Sequence, residues 1–314
     1  MSTEQNQVVT TFPQRLWTYL REMFPLQVNV PAALLGFFVF YFLLQVIYDI
    51  RPLHITPQSL TGALTLLAFS LLTRIFDEFK DLESDRLLFP QRPLPAGRVL
   101  PRDLQALGWF LAGMMVTLNL FSGKAFIGLS ILLGYGLLTY KYFFLPELHR
   151  KSLLLTVATH NPLVFVSHLY ILSVFLADYR QSFWAVPPAV WLAILLFWLP
   201  VLSWEFSRKI RDKSEETAYV TYSQIFGPRL AGMLPVFCLT LATLLAWWFA
   251  NQLAWSVYFR LALLFAYGFA MFGFGRWQWK QSPRTSYLKP FTEKFALLLY
   301  LSFLVELIAR YGLQ

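Results

Sequence analysis

One cysteine, Cys238, stands in the 314-residue chain, which excludes a disulfide framework and any zinc or iron–sulfur centre built on several thiolates. Charge is scarce. Asp, Glu, Lys and Arg make up 14% of the residues, where an ordinary soluble domain has about a quarter. Acids are scarcer than bases, 17 against 26, for a formal net charge of +9. The longest polar stretches, near 77–103 and 205–229, are too short for a soluble domain. No cleavable signal peptide is expected, because the first 28 residues are polar and mixed and no small-residue cleavage site follows the first apolar run.

What the chain does have is apolar and aromatic bulk: 57% hydrophobic and 18% aromatic residues, with eleven Trp and a mean hydropathy of +0.52. A soluble globule of this size could not hide so much apolar side chain, so a cytosolic enzyme and a disordered chain are both excluded. In a soluble protein the basic excess would suggest nucleic acid. Here it is read as membrane topology, with attraction to anionic lipid or a phosphorylated substrate second, and no nucleic-acid partner is expected.

A bilayer-crossing helix needs roughly twenty mostly apolar residues. Nine windows qualify as candidates: 29–49, 60–76, 104–121, 125–141, 152–177, 187–204, 230–249, 253–274 and 292–309. The expected fold is therefore all-α, a polytopic membrane protein of about nine helices forming a single domain over 1–314, with 1–28 as a cytoplasmic N-terminal segment. With the N-terminus in the cytoplasm, nineteen of the 26 Lys and Arg fall in cytoplasmic segments and four on the other side. That asymmetry sets the predicted orientation.

The most informative segment follows the second window. Asp77, Asp81 and Asp85 are spaced i, i+4, i+8. If the helix continues past the membrane, these carboxylates share one face, where they repel unless a cation sits among them. Hard oxygen ligands suit Mg²⁺, which one or two carboxylates and substrate phosphates commonly hold. The residues alone leave two readings open: a Mg²⁺–diphosphate site, or a solvated helix end whose acids pair with Lys80 and Arg86. Next comes Pro90-Gln-Arg92-Pro93-Leu-Pro95-Ala-Gly97-Arg98, where prolines fix φ and forbid helix. Such a stiff loop would hold Arg92 near the acids.

Together, Asp77-Glu78-Phe-Lys-Asp81-Leu-Glu-Ser-Asp85 and Arg92-Pro-Leu-Pro-Ala-Gly97 resemble the first signature of the UbiA-type intramembrane prenyltransferases, with Asp77 where that pattern has Asn. The resemblance implies a UbiA-like helical bundle around a central cavity. It also implies transfer of a prenyl group from a polyprenyl diphosphate to an aromatic or other lipophilic acceptor, assisted by Mg²⁺ and surrounded by membrane lipids. By the same resemblance the loop after the sixth window is the partner motif, an Asp-x-x-Asp-x-x-x-Asp pattern that stands here as Glu205, Arg208 and Asp212. Its middle acid has become a base.

The implied metal ligands are Asp77, Asp81, Asp85, Glu205 and Asp212, and the first three form the catalytic set. Arg92, Lys141, Lys151 and Arg208 are implied as diphosphate contacts; an Arg at 208 replaces a metal-held charge with a fixed one, since guanidinium binds phosphate bidentately. The implied location is a multi-pass bacterial inner membrane.

Polar residues expected at depth are Arg74, Asn119, His160, Asn161, His168, Arg260 and Glu306. Pro162 breaks the fifth helix, and His160 or Asn161 is the candidate for orienting an acceptor. Arg74 is expected to pair with Asp77 or with phosphate. Arg260 shows no identifiable partner, and Glu306 reads as a snorkelling side chain. The rival reading is a catalytically divergent scaffold acting as a transporter or a binding or interaction subunit. It is favoured by the altered second motif; a loose echo between 60–103 and 187–229 suits both readings.

Overall fold

The computed structural model describes residues 11–217 and 220–314. Residues 1–10 of the expected N-terminal segment lie outside the described ones. Among the described residues there is no β-strand, and the helices are α1 (Phe12–Met23), α2 (Leu26–Ile47), α3 (Pro57–Lys80), α4 (Leu82–Leu88), α5 (Pro101–Asn119), α6 (Lys124–Tyr140), α7 (Pro146–Lys151), α8 (Leu153–His160), α9 (Leu163–Asp178), α10 (Pro188–Ser207), α11 (Tyr222–Phe226), α12 (Pro228–Gln252), α13 (Val257–Trp279), α14 (Pro283–Ser286) and α15 (Lys289–Tyr311).

All nine sequence windows fall on helices. Six described helical segments are long and apolar enough to cross a membrane: Leu26–Ile47, Pro57–Lys80, Leu153–Asp178, Pro188–Ser207, Pro228–Gln252 and Val257–Trp279. The chain is thus an integral, multi-pass membrane protein. Three windows fall outside this set. α6 has 17 residues, short of the roughly twenty that span the hydrocarbon core. α5 has Arg102, Asp103 and Gln105 among its first five residues, and α15 carries Lys289, Glu293, Lys294, Glu306 and Arg310.

Local chemistry sets the helix ends. Thr56 caps α3 by accepting from the Ser59 amide, with Pro57 in the first turn where its missing N–H costs nothing. Ser256 caps α13 in the same way through Phe259. α8 stops at His160 and α9 starts at Leu163, the break expected from Pro162.

The helices pack in long antiparallel pairs, α10 on α12, α6 on α9 and α13 on α15. At Gly128 of α6 an added Cβ would lie 1.9 Å from Ser173 Oγ of α9, so that approach needs a residue without a side chain. Phe37, Phe40, Tyr41 and Phe42 of α2 are buried in the core. Buried Asn119 links α3, α5 and α9. Its amide nitrogen donates to Thr65 Oγ1 at 2.9 Å, and its oxygen accepts from the Tyr170 hydroxyl at 2.9 Å.

Two expectations about polar residues at depth need correction. Arg260 does have partners: it donates to Trp255 O in the α12–α13 connection at 2.5 Å and to Ala250 O near the end of α12 at 3.1 Å, which ties the start of α13 to that turn. Glu306 does not snorkel. Its carboxylate accepts from Ser256 N at 2.7 Å and Ser256 Oγ at 2.6 Å and so braces the start of α13. Both partners are distant or out of register in sequence, so neither was visible there.

α1 lies outside the windows and is pinned by two ion pairs. Arg15 pairs with Asp103 at 2.6 Å, and Arg98 pairs with Glu22 at 2.5 and 2.7 Å.

Candidate active site

The first acidic segment straddles a bend. α3 ends at Lys80, and Asp81 leaves helical geometry at φ −100°, ψ 6° before α4 begins. Backbone bonds still run through it, from Asp81 N to Asp77 O at 2.9 Å and from Asp85 N to Asp81 O at 2.8 Å. Asp77 and Asp81 line one cavity of about 480 Å³, whereas Asp85 turns inward and is buried. Its Oδ2 accepts from Arg92 Nη1 at 2.5 Å. The single straight face drawn from the i, i+4, i+8 spacing therefore holds for two aspartates and bends away at the third.

Lys80 Nζ lies 2.9 Å from Asp77 Oδ1 and 5.1 Å from the centre of the Tyr142 ring. The Tyr142 hydroxyl donates to Asp81 Oδ1 at 3.3 Å. Burial pushes the Asp81 carboxyl above the usual carboxylate range, although Lys80 pulls it down. Tyr142, Phe143 and Phe144 sit consecutively in the left-handed region, at φ 50°, 51° and 60°. Such positions cost of order 1–3 kcal/mol each, and this turn aims the Tyr142 ring at Asp81.

Arg92 arrives from the proline loop. Gly97, at φ +71°, makes the turn that closes the loop, with the Ala96 amide donating to Arg92 O at 2.9 Å. Arg92 Cζ stacks 4.2 Å over Phe89, and the side chain reaches the cavity.

The second motif enters from the end of α10. Glu205, Arg208 and Lys209 all line the same cavity as Asp77 and Asp81. Glu205 accepts from Arg208 Nε at 2.6 Å, and Lys209 Nζ sits 2.9 Å away on its other oxygen. Asp212 lies outside the lining. It closes a local turn instead, accepting from Ser214 N at 3.1 Å and Ser214 Oγ at 2.6 Å. Those two bonds hold its carboxyl below the usual range.

The far wall comes from α6 and α8. It includes Thr139, Tyr140, Thr156, His160 and Asn161. His160 places Nδ1 3.1 Å from Thr156 O and Nε2 3.1 Å from Thr139 O. Asn161 Oδ1 accepts from Trp198 Nε1 at 2.5 Å. Lys141 and Lys151 are exposed and do not line the cavity, although Lys141 Nζ lies 4.9 Å from the Tyr140 ring. A neighbouring apolar hollow of about 270 Å³ shares Thr73, Leu163 and Val164 with the charged chamber and continues among Ala33, Phe69 and Ile171.

Sequence reasoning named Lys80 only as a partner of the acids, which it is, and gave Tyr142 and Glu78 no place in the site. Lys80 faces the cavity from within the acidic motif, and Tyr142 holds Asp81. Buried Glu78 holds Arg74, with Arg74 Nη2 2.5 Å from Glu78 Oε1. Arg74 does line the chamber, but it pairs with Glu78 and not with Asp77. The i, i+4 spacing of Arg74 and Glu78 was the available signal.

Among the described residues, no group of three or more His, Cys, Asp or Glu side chains is placed to hold a metal ion. The donor chemistry nonetheless fits a shared Mg²⁺. Two hard carboxylates, Asp77 and Asp81, occupy one wall of a chamber with room for phosphates, and Mg²⁺ characteristically combines one or two carboxylates with substrate oxygens. Five cationic side chains, Arg74, Lys80, Arg92, Arg208 and Lys209, line this chamber with Asp77, Asp81 and Glu205; Glu78 and Asp85 behind the wall balance Arg74 and Arg92, so the chamber offers phosphate clustered donors and not a net positive charge.

The profile of the UbiA prenyltransferase family matches residues 51–299. No curated protein matches the chain. Two solved structures share its fold. One, described as giving insights into the biosynthesis of digeranylgeranylglyceryl phosphate synthase in membranes, has 17% identity and a TM-score of 0.64 over 94% of this chain and 99% of its own. The other, an apo UbiA homolog from Aeropyrum pernix K1, has 15% identity and a TM-score of 0.64 over 89% of this chain and 98% of its own. With the family profile matching residues 51–299, the chain belongs to the UbiA prenyltransferase family.

Proposed function

We propose that the chain transfers a prenyl group from a polyprenyl diphosphate to a lipophilic acceptor within the membrane, as one domain of nine crossings with the N-terminus cytoplasmic. The observation that carries this reading is the convergence of Asp77 and Asp81 with Arg208 and Lys209 on one cavity, although about 130 residues separate the two motifs. A diphosphate head fits the charged chamber, and a prenyl tail fits the apolar hollow that opens from it.

The chemistry then follows from charge. The bond between the allylic carbon and the diphosphate oxygen breaks, and both electrons leave with the oxygen. An electron pair of the acceptor closes on that carbon, and the acceptor gives up a proton. Asp77 and Asp81 would hold a Mg²⁺, which when bound would supply positive charge to the leaving group. Arg92, Arg208 and Lys209 donate to its oxygens, where negative charge grows most as the bond breaks. Glu205 fixes the last two in place. Lys80 neutralises Asp77 until the head arrives. The apolar hollow keeps water from the allylic cation. His160 and Asn161 form the wall against which the acceptor rests.

Asp85 acts through Arg92. Lys141, Lys151 and Asp212 receive no role at the phosphates in this reading.

The test is turnover. Membranes carrying the protein are incubated with labelled prenyl diphosphates of several lengths and with aromatic and lipid acceptors. A prenylated product that requires Asp81 and disappears with a Mg²⁺ chelator is the expected result. Intact protein with no product across donors and acceptors would return the chain to the reading of a non-catalytic scaffold.

A further inference from the structure

A second cavity, of about 420 Å³, adjoins the charged chamber and shares Arg208 with it. It lies between the loop after α10 and the start of α15. Its charged lining is Arg208, Arg211, Lys289 and Glu215, with the hydroxyls of Ser286 and Tyr287 beside them; outside the lining Glu205 lies 2.6 Å from Arg208 and Glu293 lies 3.4 Å from Lys289.

These groups are held in place. The Arg211 amide donates to Ser223 Oγ at 2.8 Å, and its Nη1 donates to Ile210 O at 3.0 Å. Buried Ser286 donates to Glu215 Oε2 at 2.7 Å, which turns that carboxylate toward the α14 wall. Arg208 Cζ and Lys289 Nζ lie 5.1 and 5.7 Å from the centre of one ring, that of Trp204. The ring fixes the spacing between two positive groups that would otherwise separate. Topology explains basic residues at a membrane surface, but not their gathering around a hollow.

We infer that this cavity is a second phosphate-binding subsite, adjoining the diphosphate chamber through Arg208. Its ligand is a phosphate or diphosphate group, either free in solution or carried as a lipid headgroup. Guanidinium, ammonium and hydroxyl donors around one space are the donor set that phosphate oxygens accept from. The subsite requires only phosphate recognition and does not depend on prenyl transfer.

The experiment is calorimetric titration of the full chain, in nanodiscs of neutral phosphatidylcholine, with inorganic phosphate. Losing one charge-assisted bond weakens binding roughly tenfold. Arg211→Gln and Lys289→Gln are each expected to show that loss. Glu215→Gln, which removes a repulsive charge, is expected to tighten binding, a gain that a misfolded protein cannot give. Arg284→Gln, an exposed neighbour outside the lining, is expected to leave it unchanged. Phosphate binding unaltered in the first two variants, or weakened equally by Arg284→Gln, overturns the subsite.

Two competition arms identify the source. Weakened phosphate binding in nanodiscs doped with phosphatidic acid supports a headgroup. Displacement by inorganic pyrophosphate without that lipid effect supports the free anion. Competition by neither overturns the inference. A prenyl diphosphate analogue titrated in parallel reports the first chamber. Its failure to bind, with the phosphate results as expected, would sink the transferase reading and leave the subsite standing.

Discussion

Asp81 is the residue on which the acidic face turns. Its carboxylate lies in the chamber, touches the Tyr142 hydroxyl and takes no arginine. Asp81→Asn keeps the shape and removes the charge. Turnover is expected to fall about 10²-fold or more, the usual scale for losing one preorganised electrostatic group, with a smaller change in substrate KM. Steady-state kinetics with saturating Mg²⁺ checks it.

Asp85 behaves differently. Its buried carboxylate pairs with Arg92, which is about a third exposed. Arg92→Ala strands a buried charge and is expected to cost about 2 kcal/mol of stability, less than a fully buried pair because water reaches the arginine. Thermal unfolding in detergent would show it, whereas a mere phosphate contact would leave the unfolding midpoint in place. The sequence displayed both aspartates in one pattern. It could not separate their roles, because the difference lies in the backbone bend at Asp81 and in what packs behind it.

Among the elements, the proline loop is the one whose chemistry reads directly from the chain. Prolines exclude helix and Gly97 supplies the positive φ that closes the turn. An added Cβ at Gly97 meets nothing within 4 Å. The cost of Gly97→Ala is therefore conformational only, about 1 kcal/mol, and it should appear as lower stability and looser diphosphate binding together.

The amphipathic α1, by contrast, was hidden in a segment read as merely polar. Its tie to the loop is the pair of Glu22 and Arg98. The Arg98 guanidinium holds the Glu22 carboxyl below its ordinary value. A depressed carboxyl contributes stability above the unfolded value, about 4.3, and loses it as pH falls through the folded value. Acidification through that value should therefore loosen the C-terminal end of α1 while Arg15 and Asp103 still hold its start, and Glu22→Gln should remove that step from the pH profile of protease cleavage after α1. The step should be small and shrink with salt, since both side chains are partly exposed.

For the whole molecule, the proposed orientation has a direct test. Buried Cys238 is the chain's own cysteine, so introduced ones report alone. Ser84→Cys and Lys213→Cys should react with a membrane-impermeant maleimide from the cytoplasmic side, and Lys124→Cys from the opposite side. Labelling of all three from one side would overturn the orientation. Association of substrate with the charged chamber should also weaken as ionic strength rises, because salt screens the attraction between the cations of the lining and an anionic head.

Hydropathy and helix chemistry are local properties, so the chain alone determined that it is helical, that it lies in a membrane, where its long apolar helices run and which loops carry charge. The break at Pro162 and the stiffness around Arg92 were equally legible, since proline acts on its own neighbours. Tertiary packing alone decided which charges meet. It brought Glu205 of α10, with Arg208 and Lys209 just beyond it, to Asp77 and Asp81, sent Asp85 to Arg92, and left Lys141, Lys151 and Asp212 outside. Electrostatic partnership falls off over a few ångströms in space and takes no account of distance along the chain.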